Sequence, residues 1–135
     1  MQAYVQSTGN RDDARRILIA DSDGDSRTVY RVVLQHHGFD VVDAEDGVTA
    51  LDRARAGDIA MVVTELTLRA LDGHTLLERL MADAATAHIR VVVLTARGLQ
   101  EDRERAVRAG CAAYLTQPML PMALVEQIRS LLDAR

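Results

Sequence analysis

Met61–Gly73 reads MVVTELTLRALDG: an apolar run, Met61-Val62-Val63, drives into Thr64 and Glu65 before the chain turns polar at Leu71-Asp72-Gly73. A carboxylate is therefore presented where a strand stops. The run containing it starts at Ile59, and four others share its form: Ile17-Leu18-Ile19-Ala20, Val41-Val42, Val91 to Leu94, and Ala112 to Leu115. The first, third and fourth in chain order are near-continuous rather than alternating, as parallel strands covered on both faces are.

Helical patterns fill the intervals. Ser26 to His37 carries Val29, Val32, Val33 and His36 at helical spacing and stops at Gly38. A second helix is expected from about Gly47 to Ala56. A third spans roughly His74 to Ala82, with Leu76, Leu77, Leu80 and Met81, and a fourth, Gln100 to Ala109, is stopped by Gly110. Pro121 opens the fifth, whose Leu124, Ile128, Leu131 and Leu132 form one face. Five βα units with right-handed crossovers predict a doubly wound α/β fold with a five-stranded parallel sheet in the flavodoxin-like order 2-1-3-4-5. Sites in such sheets form at the carboxyl ends of the strands, and this order sets Asp21 beside Glu65.

The 135 residues suffice for one domain, and 48% apolar with 27% charged residues is ordinary globular usage. Residues 1–13 read as a polar, poorly ordered extension and 14–135 as a single domain. The net charge of −4 and the scattering of basic residues among acids disfavour direct nucleic-acid binding. No stretch approaches a membrane span or a secretory signal, and the single cysteine, Cys111, rules out an internal disulfide framework, so a cytoplasmic location is expected. Cys111 itself reads as a small buried hydrophobe. All sixteen basic residues are arginine. Chemistry that requires a lysine is excluded.

Read in order, the strand ends supply Asp21-Ser22-Asp23, Glu65, Thr95-Ala96 and Gln117-Pro118. With Ile17-Leu18-Ile19-Ala20 before the first of these, Leu71-Asp72-Gly73, Val93-Leu94, Ala109-Gly110 and Tyr114-Leu115-Thr116, the pattern from Arg16 to about Leu132 resembles the receiver domain of bacterial two-component response regulators. The resemblance implies a pocket in which two acids of the first strand and an aspartate of the third hold Mg²⁺. That aspartate would accept a phosphoryl group from a kinase histidine, and a threonine or serine and a lysine would grip the phosphoryl oxygens. It also implies a switch aromatic at Tyr114 and a cis Gln117–Pro118 peptide.

Three positions depart from the family pattern. Ser22 stands for the second acid, Glu65 for the phosphoacceptor and Gln117 for the lysine, while Asp21, Thr95, the small Ala96 and Tyr114 match. Each departure removes one part of a reaction that depends mostly on positioning, and a displacement of about 1 Å can cost roughly a hundredfold in rate. The expectation is thus a degenerate receiver without catalysis or cofactor, with at most weak Mg²⁺ at Asp21, Glu65 and the Thr67 backbone. Glu65 has two open readings: a permanent charge that imitates phosphoaspartate and holds Thr95 and Tyr114, or a relic.

The function expected is phosphorylation-independent protein–protein interaction in a phosphorelay, in a stand-alone chain. Its partners would be signalling proteins, a histidine kinase or an output protein, met through the face of helix four, strand five and helix five. A homodimer is compatible, with Arg103, Glu104, Arg105 and Arg108 available for ion pairs, although Ala112 and Ala113 stand where dimerising receivers often carry acids. The alternatives are a conventional Mg²⁺-dependent phosphoacceptor and a receiver fragment of a larger regulator. A flavodoxin-like cofactor protein is disfavoured because Asp21-Ser22-Asp23-Gly24 is no Gly-rich phosphate loop. His36 and His37 read as a helix-end surface pair, and His74 and His88 as solvent-facing.

Overall fold

The computed structural model describes residues 16–133, so the extension expected at residues 1–13 lies outside the described residues. Five βα units follow in order: β1 (Arg16–Ala20), α1 (Gly24–His36), β2 (Asp40–Ala44), α2 (Gly47–Arg55), β3 (Met61–Thr64), α3 (Gly73–Ala82), β4 (Arg90–Thr95), α4 (Gln100–Ala109), β5 (Ala113–Thr116) and α5 (Pro121–Asp133). The sheet is parallel throughout, in the order β2-β1-β3-β4-β5. This is the expected doubly wound arrangement. Ala20 pairs with Ala44 on one side and Thr64 on the other, which brings three strand ends level.

Side chains alternate across the sheet and divide the core in two. Leu18, Val62, Val91 and Val93 meet Leu51, Leu76, Leu77 and Leu80 of α2 and α3, together with Ala106 of α4. Ile17, Ile19, Val63, Val92 and Leu94 meet Tyr30 and Leu34 of α1 and Leu124, Val125 and Ile128 of α5. Strand residues at the centre of β1, β3 and β4 are almost wholly enclosed, which is why those runs are uninterrupted by polar residues.

Helix starts follow side-chain chemistry. Asp23, Asp46 and Asp72 cap α1, α2 and α3 by accepting backbone N–H groups of Ser26, Thr49 and Thr75. The Asp23 cap starts α1 two residues before the expected Ser26. Gly110 ends α4 at φ 100°, a left-handed conformation suited to glycine. β5 begins one residue later than the apolar run suggested, because Ala113 is the residue in register with Val92. Cys111 is only half-buried, packed against the α2–α4 side of the core.

Two expectations are overturned. In α1, Val29 and Val32 are 48% and 51% exposed and His36 is exposed, whereas Tyr30 and Leu34 are buried. The run TVYRVVL carries apolar groups on two adjacent stripes, and the stripe with the larger side chains faces β1, β2 and α5. His74 is not solvent-facing: it is 5% exposed, in the first turn of α3 where that helix meets α4. His88 is exposed, as expected.

Leu34→Ala should cost about 2–5 kcal/mol in urea unfolding, while Val32→Ala should stay within about 0.5 kcal/mol. Equal costs would contradict this orientation of α1.

Candidate functional site

Backbone hydrogen bonds continue the sheet one step beyond its strands. Asp21 N–H donates to the Ala44 carbonyl at 3.1 Å, Glu65 N–H to the Ala20 carbonyl at 3.0 Å, and Gln117 N–H to the Thr95 carbonyl at 2.8 Å. Asp21, Glu65, Thr95 and Gln117 therefore gather at one edge of the sheet.

At the first strand end, an Asp21 carboxylate oxygen accepts the Asp23 N–H at 2.9 Å, and Asp23 turns away to cap α1. The Ser22 hydroxyl donates to the Glu45 carbonyl at 2.8 Å and accepts the Arg69 N–H at 3.1 Å. Ser22 thus ties the β1–α1, β2–α2 and β3–α3 loops together, a role that its spacing did not disclose. Arg27 donates to the Asp21 carbonyl oxygen at 2.7 Å and pairs with Asp43 at 3.3 Å.

Glu65 is half-buried, and its Oε2 accepts the N–H groups of Leu66 and, at 3.3 Å, Thr67. The carboxylate folds back over the loop that follows it. The peptide beneath is pressed by α3: Gly73 N–H donates to the Leu66 carbonyl at 2.9 Å, and a Cβ at Gly73 would collide with the Glu65 carbonyl oxygen. This close approach is the physical reason for glycine in Leu71-Asp72-Gly73.

The other strand ends point elsewhere. Thr95 is fully buried and its hydroxyl oxygen accepts the Arg97 N–H at 3.1 Å. Ala96 is exposed. Gln117 directs its amide N–H to the Tyr30 hydroxyl at 3.0 Å, and the Gln117–Pro118 bond is cis, as expected. Tyr114 is buried and donates to the Arg97 carbonyl at 2.7 Å, with the Arg103 guanidinium 5.0 Å above its ring. Arg105, considered above for ion pairs between protomers, makes paired hydrogen bonds to Glu78 of its own chain at 3.1 and 3.2 Å.

Burial pushes the Asp21 carboxyl up from its ordinary 3.8, with the negative charges of Glu65 and Asp23 adding to it against the Asp23 N–H and Arg27. Burial likewise pushes the Tyr114 hydroxyl up. A divalent cation of the Mg²⁺ type wants near-octahedral oxygen ligands, usually with carboxylates among them. The donor set is poorer than such an ion prefers: Ser22 supplies no charge, its hydroxyl is engaged by two loops, and one of the two oxygens of each of Asp21 and Glu65 is engaged by backbone amides. No group of three or more histidine, cysteine, aspartate or glutamate side chains suited to a metal ion occurs among the described residues.

Residues 17–129 match the response regulator receiver domain family, and the chain belongs to that family. It is 34% identical over 119 residues to the phosphate regulon transcriptional regulatory protein PhoB of Klebsiella pneumoniae and 33% identical to that of Escherichia coli K12. Each match covers 88% of this chain and 52% of the relative, so the chain spans about half the length of these relatives. Among solved structures, a protein of response-regulator type from Chloroflexus aurantiacus superposes with a TM-score of 0.83 at 27% identity, covering 89% of this chain and 98% of that one. The receiver domain of a Pseudomonas aeruginosa sensor histidine kinase, whose structure holds a magnesium ion in its active-site cleft, gives 0.82 at 25% identity with the same coverage. The chain is thus a receiver domain of the kind found in two-component response regulators.

Sequence reasoning missed the cluster of buried His74 and Asp102 with half-exposed Arg97 beside Tyr114, and Tyr30, the partner of Gln117. Only Tyr30 left a signal, as the large side chain in the second stripe of α1.

The Asp21 carboxyl is raised in the fold, so its ionised form opposes folding above that raised value, and the penalty disappears as pH falls below the unfolded 3.8. Asp21→Asn, which keeps the acceptor for Asp23 N–H, should be more stable than wild type at neutral pH and no different in strong acid. Urea unfolding at several pH values measures this; an Asn variant less stable at neutral pH would contradict it.

Proposed function

We propose that this receiver works as a protein-interaction module whose state does not depend on phosphorylation of the strand-end pocket, and that it uses neither Mg²⁺ nor another cofactor. The observation that carries the reading is the engagement of Glu65: its carboxylate is bound by the Leu66 and Thr67 amides of its own loop. A phosphoacceptor must present a carboxylate oxygen to the incoming phosphorus in line with the leaving group, with charge on the transferred group neutralised. Here the carboxylate is turned onto backbone donors, and Gln117 offers a neutral amide that points at Tyr30.

The same geometry supports a local role for Glu65 over imitation of phosphoaspartate. Its hydrogen bonds go to the loop, while the Thr95 hydroxyl is engaged by Arg97. Tyr114 is held inward by a bond to the Arg97 carbonyl, not to Glu65. For contact with a kinase or output protein, the face of α4, β5 and α5 presents exposed Leu99 and Val107 among charged residues. A second apolar surface runs between α1 and α5, where Val32, Leu120 and Met122 are exposed. We assign the partner contact to the first of these, because it contains Tyr114 and the loop that positions it.

Incubation with Mg²⁺ and acetyl phosphate, followed by intact mass measurement, should leave the protein without a phosphoryl adduct. A stoichiometric adduct on Glu65 would establish a conventional phosphoacceptor. Glu65→Gln, which retains an acceptor oxygen for the loop amides, should leave the Tyr114 environment unchanged by NMR; a displaced Tyr114 signal would restore imitation of phosphoaspartate.

A further inference from the structure

Three side chains outside the strand-end pocket, two of them buried, form a cluster that the proposed function does not use. His74, at the start of α3, is 5% exposed, and Asp102, in the first turn of α4, is 7% exposed. Asp102 Oδ1 takes both His74 Nε2 at 2.9 Å and Arg97 Nη2 at 3.1 Å. Oδ2 lies 3.0 Å from the same arginine nitrogen but accepts no aligned hydrogen bond, and His74 Nδ1 is buried without a partner. The Arg97 side chain is 49% exposed, so one of the two groups that meet this carboxylate reaches water and the other does not.

Arg97 is also the backbone residue on which the switch aromatic depends. Its carbonyl accepts the Tyr114 hydroxyl at 2.7 Å, and its N–H donates to Thr95 Oγ1 at 3.1 Å. Through the Arg97 side chain, Asp102 therefore fixes the one loop residue that holds both Tyr114 and Thr95.

We infer that His74, Asp102 and Arg97 form a proton-sensitive latch, in which protonation of His74 releases Arg97 from Asp102 and with it the inward hold on Tyr114. With a neutral imidazole, Nε2–H donates to the carboxylate and Arg97 supplies the neutralising charge. A second proton makes His74 a cation in contact with the same oxygen. Two cations then share one buried carboxylate, and their mutual repulsion weakens the hold on the one that solvent reaches, Arg97. The enclosed imidazolium cannot leave; the half-exposed guanidinium can, into solvent.

Asp102 is held below the usual carboxylate range, chiefly by the hydrogen bond from His74 and also by Arg97, which keeps it ionised. Other charged groups also feel the cluster: His74 acts on Asp72, and Asp102 acts on Arg105. On α3, Asp72 is engaged as the helix cap and Glu78 with Arg105. On α4, Arg103 lies over the ring of Tyr114, the titratable group of β5, and Arg105 is bound to Glu78. Glu65 is turned onto its own loop, and Arg55 of α2, packed on the other side of α3, meets Asp83 at the far end of that helix.

The latch regulates the surface assigned under the proposed function and rests on that reading. Its test is NMR of the whole chain labelled with ¹³C-tyrosine, from about pH 8 to about pH 5.5, with the Tyr114 signal assigned through Tyr114→Phe. The wild-type signal should titrate, and the response should be lost in His74→Gln. His36, His37 and His88 lie outside the cluster and are retained in that variant. Arg97→Gln, altered at a half-exposed side chain and checked for cooperative unfolding, should hold Tyr114 at its acid position at every pH. A wild-type Tyr114 signal that does not move, a His74→Gln protein that titrates like wild type, or an Arg97→Gln protein that behaves like wild type would each overturn the latch. Repeating the series with Mg²⁺ and acetyl phosphate separates the two proposals, since a response to acetyl phosphate refutes phosphorylation independence alone.

Discussion

The peptide that carries Glu65 is gripped from two sides, and the arrangement of the pocket follows from that grip. Its N–H is tied to Ala20 of the neighbouring strand, and its carbonyl lies against Gly73, so close that only a residue without a side chain fits there. The backbone at this point cannot shift to accommodate a longer side chain. The extra methylene of glutamate is therefore absorbed by the side chain itself, which turns its carboxylate onto the Leu66 and Thr67 amides. Ser22 completes the immobilisation by linking Glu45 and Arg69 across three loops.

A rigid pocket of this kind shifts the interest to the neighbouring loop. Thr95 and Tyr114 are the side chains expected to move in a switching receiver, and in this protein both bond to Arg97. Arg97 in turn is attached to α3 and α4 through a buried aspartate and histidine. Buried charges of this type are costly unless fully paired, and a partly satisfied network responds sharply to one added charge. The route from stimulus to surface can thus run through α3 and α4 while the strand ends stay fixed.

Much of the fold was legible because it rests on local pattern. The uninterrupted apolar runs of β1, β3 and β4, the glycine after α4 and the proline opening α5 each report a short-range constraint, and the observed strand order is the flavodoxin-like one expected for five βα units. The face of α1 was misread because Val29, Val32 and Val33 satisfy helical spacing as well as Tyr30 and Leu34 do; packing against α5 decides between the stripes, and periodicity carries no information about it. At the site, the residues at strand ends could be gathered from topology alone. Their hydrogen bonds could not: Gln117 finds Tyr30 across 87 positions of sequence and His74 finds Asp102 across 28, and no spacing rule connects either pair.

The central proposal is that the Glu65 carboxylate, engaged by its own loop through Oε2, is not used to hold a divalent cation. A Mg²⁺ titration followed through the Leu66 and Thr67 amide resonances tests it directly, since any ion drawing on Glu65 must disturb the two N–H groups that hold it. The prediction is that both resonances stay in place up to about 10 mM Mg²⁺. A saturable shift of both amides that disappears in Asp21→Asn would contradict it.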